Sequence, residues 1–178
     1  MAHRSDLNYV IGEMISELNA GHAYIDGGDW EKPERPKVAL PGARFELDDV
    51  AGRSRIARIL AGQNEEPVYR SPLTELGVNV KAGEYLLAID GDELKATVDP
   101  YKLLRGKAGK AVRLTVNGVP RMEGAREVVI QPVSSENDLA YLAMVEASRA
   151  RVDQATGGRV GYLQVPNMGA DGLRELIK

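Results

Sequence analysis

The sequence predicts an α+β fold: a β-rich unit with short helices, flanked by an N-terminal helical segment and a C-terminal β-α unit. Three observations carry this. Asp6 to Asn19 repeat apolar side chains at helical spacing. Residues 43–133 are short apolar runs cut by turn signals, among them Asp90-Gly91 and Asn117-Gly118. A second long helical pattern begins only after Ser135.

In the first helix Leu7, Val10, Ile11, Met14, Ile15 and Leu18 form one apolar stripe. Ser5 reads as its N-cap and Gly21 as its end. His22 to Ile25 is a short extended piece and Gly27-Gly28-Asp29 a turn. From Trp30 to Pro41 the prolines Pro33, Pro36 and Pro41 forbid a helix and predict a linker or exposed extended segment.

In the β-rich unit, Phe45–Val50 and Arg53–Leu60 read as strands joined near Gly52. Pro72 starts one helical turn. Tyr85–Ile89 has the length of a buried strand, and Asp90-Gly91 turns it into a hairpin. Asp99 caps a short helix through Tyr101 and Leu104 that Gly106 stops. Ala111–Val116 and Glu127–Val133 are the last strands, with Asn117-Gly118 as the turn after the first of them.

Ser135, with Asp138 three residues on, opens a helix with Leu139, Leu142, Val145 and Val152 along one side. Gly157-Gly158 ends it. Val160–Val165 reads as an apolar strand, and Asp171 begins a helix with Leu173, Leu176 and Ile177 on its inner side. A strand followed by a helix normally feeds another parallel strand, so the chain is expected to be a piece of a longer protein.

Composition narrows the function classes. The chain has 178 residues, 23 Lys plus Arg and 26 Asp plus Glu, a formal net charge of −3. That balance carries no electrostatic footprint for nucleic acid or an anionic membrane. No apolar run approaches the ~20 residues that span a bilayer, and no signal peptide is read at the N-terminus. With no cysteine there is no disulfide, thiolate metal site or cysteine nucleophile. Aromatic residues are only 5%, so the core is aliphatic.

Ser71-Pro72-Leu73, Gly77-Val78 and Lys81-Ala82-Gly83-Glu84-Tyr85-Leu86-Leu87-Ala88-Ile89-Asp90-Gly91 together resemble a PDZ domain of the bacterial protease type. The flanks are similar to tricorn-type serine peptidases. Tyr9 to Met14 and Glu17 to Tyr24 resemble the block before their PDZ domain; Gly158 to Leu163 and Pro166 to Leu173 resemble the start of their second catalytic domain. The resemblance implies three segments: residues 1–42 from the end of the first catalytic domain plus linker, 43–133 PDZ-like, and 134–178 from the start of the second catalytic domain.

It also implies roles. His22 is the catalytic base, and the nucleophilic serine lies outside this chain. No cofactor is needed, the substrates are peptides or unfolded polypeptides, the partner of this segment is the rest of the parent catalytic domain, and the parent is expected to form a homo-oligomer. The compartment implied is the cytoplasm, although some relatives are exported. Gly21 departs from the family, which has a serine before the histidine, and Gln164 and Asn167 stand where His and Asp are frequent.

Read without the resemblance, His22 is a lone histidine after a helix C-terminus, where positive charge is favoured. His22, Asp26 and Asp29 lie on a turn with no third histidine, so they are turn acids and no metal is expected. A peptide is expected to add beside Arg53–Leu60, engaging Gly52, Arg53, Ser54, Arg55 and Ile56, with Tyr101 and Leu104 opposite. N–H groups near Ala51–Ser54 would hold a terminal carboxylate. Against this stands an edge covered by the chain's own linker, or a mere spacer. No serine lies in a Gly-x-Ser-x-Gly elbow, and no phosphate-binding or dinucleotide fingerprint occurs. The alternative to a peptidase segment is a non-enzymatic peptide-binding or assembly module.

Overall fold

The computed structural model describes residues 3–29 and 36–177. The chain falls into two compact units, Met1–Arg35 and Pro36–Lys178.

The first unit is built on helix α1 (Arg4–Ser16). Its cap is His3 rather than Ser5. The His3 ring accepts the Ser5 N–H at 3.3 Å, and the Asp6 carboxylate accepts the His3 N–H at 3.1 Å, a reciprocal capping box. The helix therefore starts earlier than the apolar stripe suggests. It also stops before Gly21, with Asn19 in the left-handed region at φ 49°. No α1 residue is buried, and Met14 and Leu18 on the stripe are exposed.

The second unit holds a six-stranded antiparallel sheet with strands β1 (Ala43–Asp48), β2 (Arg53–Ile59), β3 (Tyr85–Ile89), β4 (Asp92–Glu93), β5 (Val112–Asn117) and β6 (Arg126–Ile130). The order is β1-β2-β3-β5-β6, with β4 paired on β3. Helix α2 (Pro100–Leu103) follows β4, and Asp99 caps it by accepting the Tyr101 N–H at 2.9 Å. Ile56, Leu86, Ile89, Leu94, Leu104, Leu114 and Ile130 make an aliphatic core.

The turns follow from local chemistry. Asp90 and Gly91 both have positive φ, as a two-residue hairpin needs. The Asp90 side chain is fixed by Lys107 at 2.6 Å and by the Arg113 N–H at 2.8 Å. Asn117-Gly118 behaves differently. The connection to β6 is a longer loop over residues 118–125, and the Asn117 amide donates to the carbonyls of Arg121 (2.7 Å) and Glu123 (3.1 Å), bracing it from inside.

Part of the expected linker, Trp30 to Arg35, lies outside the described residues. Pro36 and Lys37 are exposed, but residues 38–41 are no exposed linker: Val38 bridges Arg105, Leu40 bridges Val133, and Ala39 is fully buried. Helix α3 (Asn137–Thr156) buries Leu139, Leu142 and Val145 within the same unit, and Gly157 at φ 59° ends it. Residues 160–165, predicted as a strand, are irregular. A strand needs a ladder partner for its backbone, and none pairs with them among the described residues. Helix α4 (Ala170–Ile177) leaves Leu173, Leu176 and Ile177 exposed, so its expected inner side is uncovered among the described residues. No described helix is long and apolar enough to cross a membrane.

A bidentate pair clips the residue before β3 to β6. Arg126 donates to the two Glu84 oxygens at 2.7 and 2.9 Å and to the Asn79 carbonyl at 2.7 Å. Those hydrogen bonds from Arg126 hold the Glu84 carboxyl below its ordinary value of 4.5, against the opposing effect of burial. A depressed folded pKa contributes stability that is present above the unfolded pKa and lost as pH falls through the folded one. The urea midpoint is expected to be level from neutral pH down to about 5 and to decline below about 4.5. Glu84→Gln should make that decline shallower; an unchanged slope would refute the linkage.

Candidate functional site

His22 follows α1 on a segment folded back against that helix. The Asn8 amide donates to the Gly27 carbonyl at 2.7 Å, and Arg4 pairs with Asp29 at 3.2 Å. Asp29 is thereby a structural ion-pair partner. His22 itself is exposed, and no hydrogen bond orients its ring among the described residues.

The expected peptide edge is placed differently. Gly52, at φ 63°, forms the turn between β1 and β2. Arg53, Ser54, Arg55 and Ile56 lie in β2, which is inside the sheet. β1 pairs with one side along its whole length, and β3 with residues 83–84 takes the other from Ser54 to Ile56. A strand paired on both sides has no edge to offer. The N–H groups named for a carboxylate are also engaged: Ala51 and Gly52 donate to Asp48 at 2.9 and 2.7 Å. Arg53 is spent on the Leu94 carbonyl (2.7 Å) and Glu93 (2.6 Å), and Arg55 on the Gly83 carbonyl (3.1 Å). Ile56 and Leu104 are core residues.

The free edge is that of β1. Ile56 exchanges its main-chain bonds with Gly83 and Glu84 on the β3 side. Antiparallel pairs alternate between bonded and non-bonded, so Phe45 and Leu47, opposite Ile56 and Ser54, turn their own N–H and C=O groups outward. No strand takes that edge among the described residues. Facing it is α2 across a groove of about 480 Å³, lined by Phe45, Leu47, Ala96, Val98, Pro100 and Tyr101 among others.

Of the expected set, the structure brings Tyr101 and Ser54 to this groove, Tyr101 as a wall on the α2 side. Its ring meets Phe45 edge-on at 5.6 Å, and its hydroxyl donates to the Ala43 carbonyl at 3.1 Å. Burial pushes that hydroxyl above its ordinary value, so it remains a donor. Gly42 immediately precedes β1 at φ 82°, and a Cβ there would lie 2.7 Å from the Ser71 hydroxyl. The missed residues are Phe45, Leu47, Arg44 and Glu136. Phe45 and Leu47 carry an alternation signal, but which strand is the edge depends on sheet order, which no local pattern encodes.

Residues 40–135 match the family described as the tricorn protease PDZ domain. The chain belongs to that family. It is 36% identical over 178 residues to tricorn protease homolog 1 of Streptomyces coelicolor, covering 99% of this chain and 16% of the relative. It is 29% identical over 175 residues to the tricorn protease of Thermoplasma acidophilum, covering 98% of this chain and 16% of that one. The crystal structure of the tricorn protease superposes with a TM-score of 0.82 at 29% identity, over 98% of this chain and 17% of that one. This tricorn-type chain thus spans about a sixth of the length of the curated relatives it matches. The α+β expectation holds, with the β-rich part realised as the six-stranded sheet.

Proposed function

We propose that the chain is part of a tricorn-like serine peptidase that hydrolyses peptides, contributing the base His22 and a groove that holds the substrate. The observation that carries the groove is the outward main chain of β1 facing α2 across a trough lined by both apolar and polar side chains. Such an edge takes an extended peptide through main-chain hydrogen bonds, while alternate side chains enter the trough. Residues 1–42, 43–133 and 134–178 are assigned to the end of the first catalytic domain, the PDZ-like domain and the start of the second catalytic domain.

In the reaction His22 takes the proton of a serine hydroxyl as it attacks the peptide carbonyl, then returns it to the leaving amine. We assign that serine, its supporting acid and the oxyanion donors to sequence outside this chain, and the work to the cytoplasm. The isolated chain is therefore expected to cleave nothing. Release of fluorophore from a fluorogenic peptide by purified 1–178, abolished in His22→Ala, would refute this.

One observation favours a second reading. The exposed His22 ring has no orienting partner among the described residues, which suits a non-enzymatic peptide-binding or assembly module. Titration of fluorescein-labelled decapeptide libraries into the chain tests the groove common to both readings. Saturable binding is expected; none with any peptide removes recognition and leaves a spacer.

A further inference from the structure

The root of β1 holds an anion cradle already filled by the chain itself. Glu136, at the residue before α3, is 5% exposed. Its Oε1 accepts the Gly42 N–H at 2.6 Å, and its Oε2 pairs with the Arg44 guanidinium. The same guanidinium donates to the Ala43 carbonyl at 2.9 Å, the atom that also receives the Tyr101 hydroxyl of α2. The cluster thus stands where the two walls of the groove meet. The hydrogen bond that Arg44 donates to Glu136 raises the Arg44 pKa above its ordinary value.

Glu136 occupies the N-cap position of α3, where a carboxylate would ordinarily bond the helix's first N–H groups. It makes no such bond; Ser135 accepts the Asn137 N–H at 3.2 Å instead. Its carboxylate is committed to β1, across 94 residues of sequence.

Direction makes this matter. A peptide adding antiparallel to β1 runs opposite to it, so its C-terminal end comes to lie beside Ala43. A terminal carboxylate arriving there needs a main-chain N–H and a cation. The Gly42 N–H and Arg44 are that pair, and both are engaged with Glu136. A second carboxylate would also meet the negative charge of the first.

We infer that Glu136 is an internal stand-in for a peptide's terminal carboxylate, so that the groove selects internal segments of a polypeptide over free C-termini. This deepens the groove reading above and rests on it. It names the substrate class as interior stretches of extended chain, which leave the groove before reaching Gly42.

The test uses the full chain and the fluorescein-labelled decapeptide libraries, each made as a C-terminal acid and as a C-terminal amide, read by fluorescence anisotropy. In the wild type the acid is expected to bind no tighter than the amide, to within about threefold. Glu136→Ala empties the cradle, and the acid-over-amide preference is expected to rise by about tenfold. Glu136→Gln keeps the cradle filled and should leave the preference within about threefold of wild type. A wild-type preference for the acid beyond about threefold overturns the inference while sparing the groove. So does a Glu136→Ala preference that rises by less than about threefold in a variant folded by circular dichroism. If Glu136→Ala does not fold, the wild-type comparison decides alone. No saturable binding of either form overturns the groove reading itself, and this inference with it.

Discussion

Ile89→Ala is expected to lower the unfolding free energy by about 3–4 kcal/mol. Ile89 is fully buried, sits in β3 opposite Leu114 of β5, and shares the core with Leu86, Leu94 and Leu104. Truncation removes its transfer free energy and leaves a cavity, because a sheet paired on both sides of β3 relaxes little. Domains are stable by only about 5–15 kcal/mol in total, so the loss is a large fraction of that margin. Urea unfolding followed by circular dichroism measures it as a lower midpoint at unchanged slope. The matched control is Leu176→Ala on the exposed face of α4, expected to change stability by no more than about 0.5 kcal/mol. A loss below about 1 kcal/mol for Ile89→Ala would mean that the core is not packed around β3 as described.

Leu47→Pro is expected to weaken peptide binding by about tenfold or more while the chain stays folded. The Leu47 N–H points away from β2, so proline there removes a donor that the sheet itself does not use. Proline is tolerated on edge strands for that reason, and Glu46 before it is already extended. The same change at Arg55 would break the ladder from inside, since β2 is paired with β1 and β3 at that residue. The two variants therefore separate edge from interior. Anisotropy titration should lose binding in Leu47→Pro with a nearly native melting curve, whereas Arg55→Pro should lose the fold. Undiminished binding by a folded Leu47→Pro would show that the peptide does not add to β1.

Much of the local structure is legible in the residues. Asp99 before Pro100 announces a capped helix, and its side chain takes the Tyr101 N–H. Gly157 supplies the left-handed end of α3. Asp90-Gly91 makes its hairpin. These succeed because each depends on partners within a few residues. Asn117-Gly118 misleads for the opposite reason: the Asn117 side chain binds carbonyls farther along the loop and holds it open to residue 125. Ser5 loses the cap to His3 because Asp6 reaches back to the His3 N–H. Of the expected site, Tyr101 and Ser54 line the groove, while Arg53, Arg55 and Ile56 stand one strand inside the free edge.

The residues alone carry most of the elements outside 160–165, the aliphatic core and, through motifs such as Lys81–Gly91, membership of the tricorn-type family. Those properties are carried by periodicity and by short runs of residues, and they survive without knowledge of what lies opposite. Which strand is an edge, that residues 38–40 are built into the sheet unit, and that Glu136 fills the root of β1 emerge from the assembled fold alone. An edge is defined by the absence of a neighbour, and the Arg44–Glu136 ion pair by two residues distant in the chain. Neither leaves a local mark, because the energy that selects them comes from pairing and desolvation across the fold.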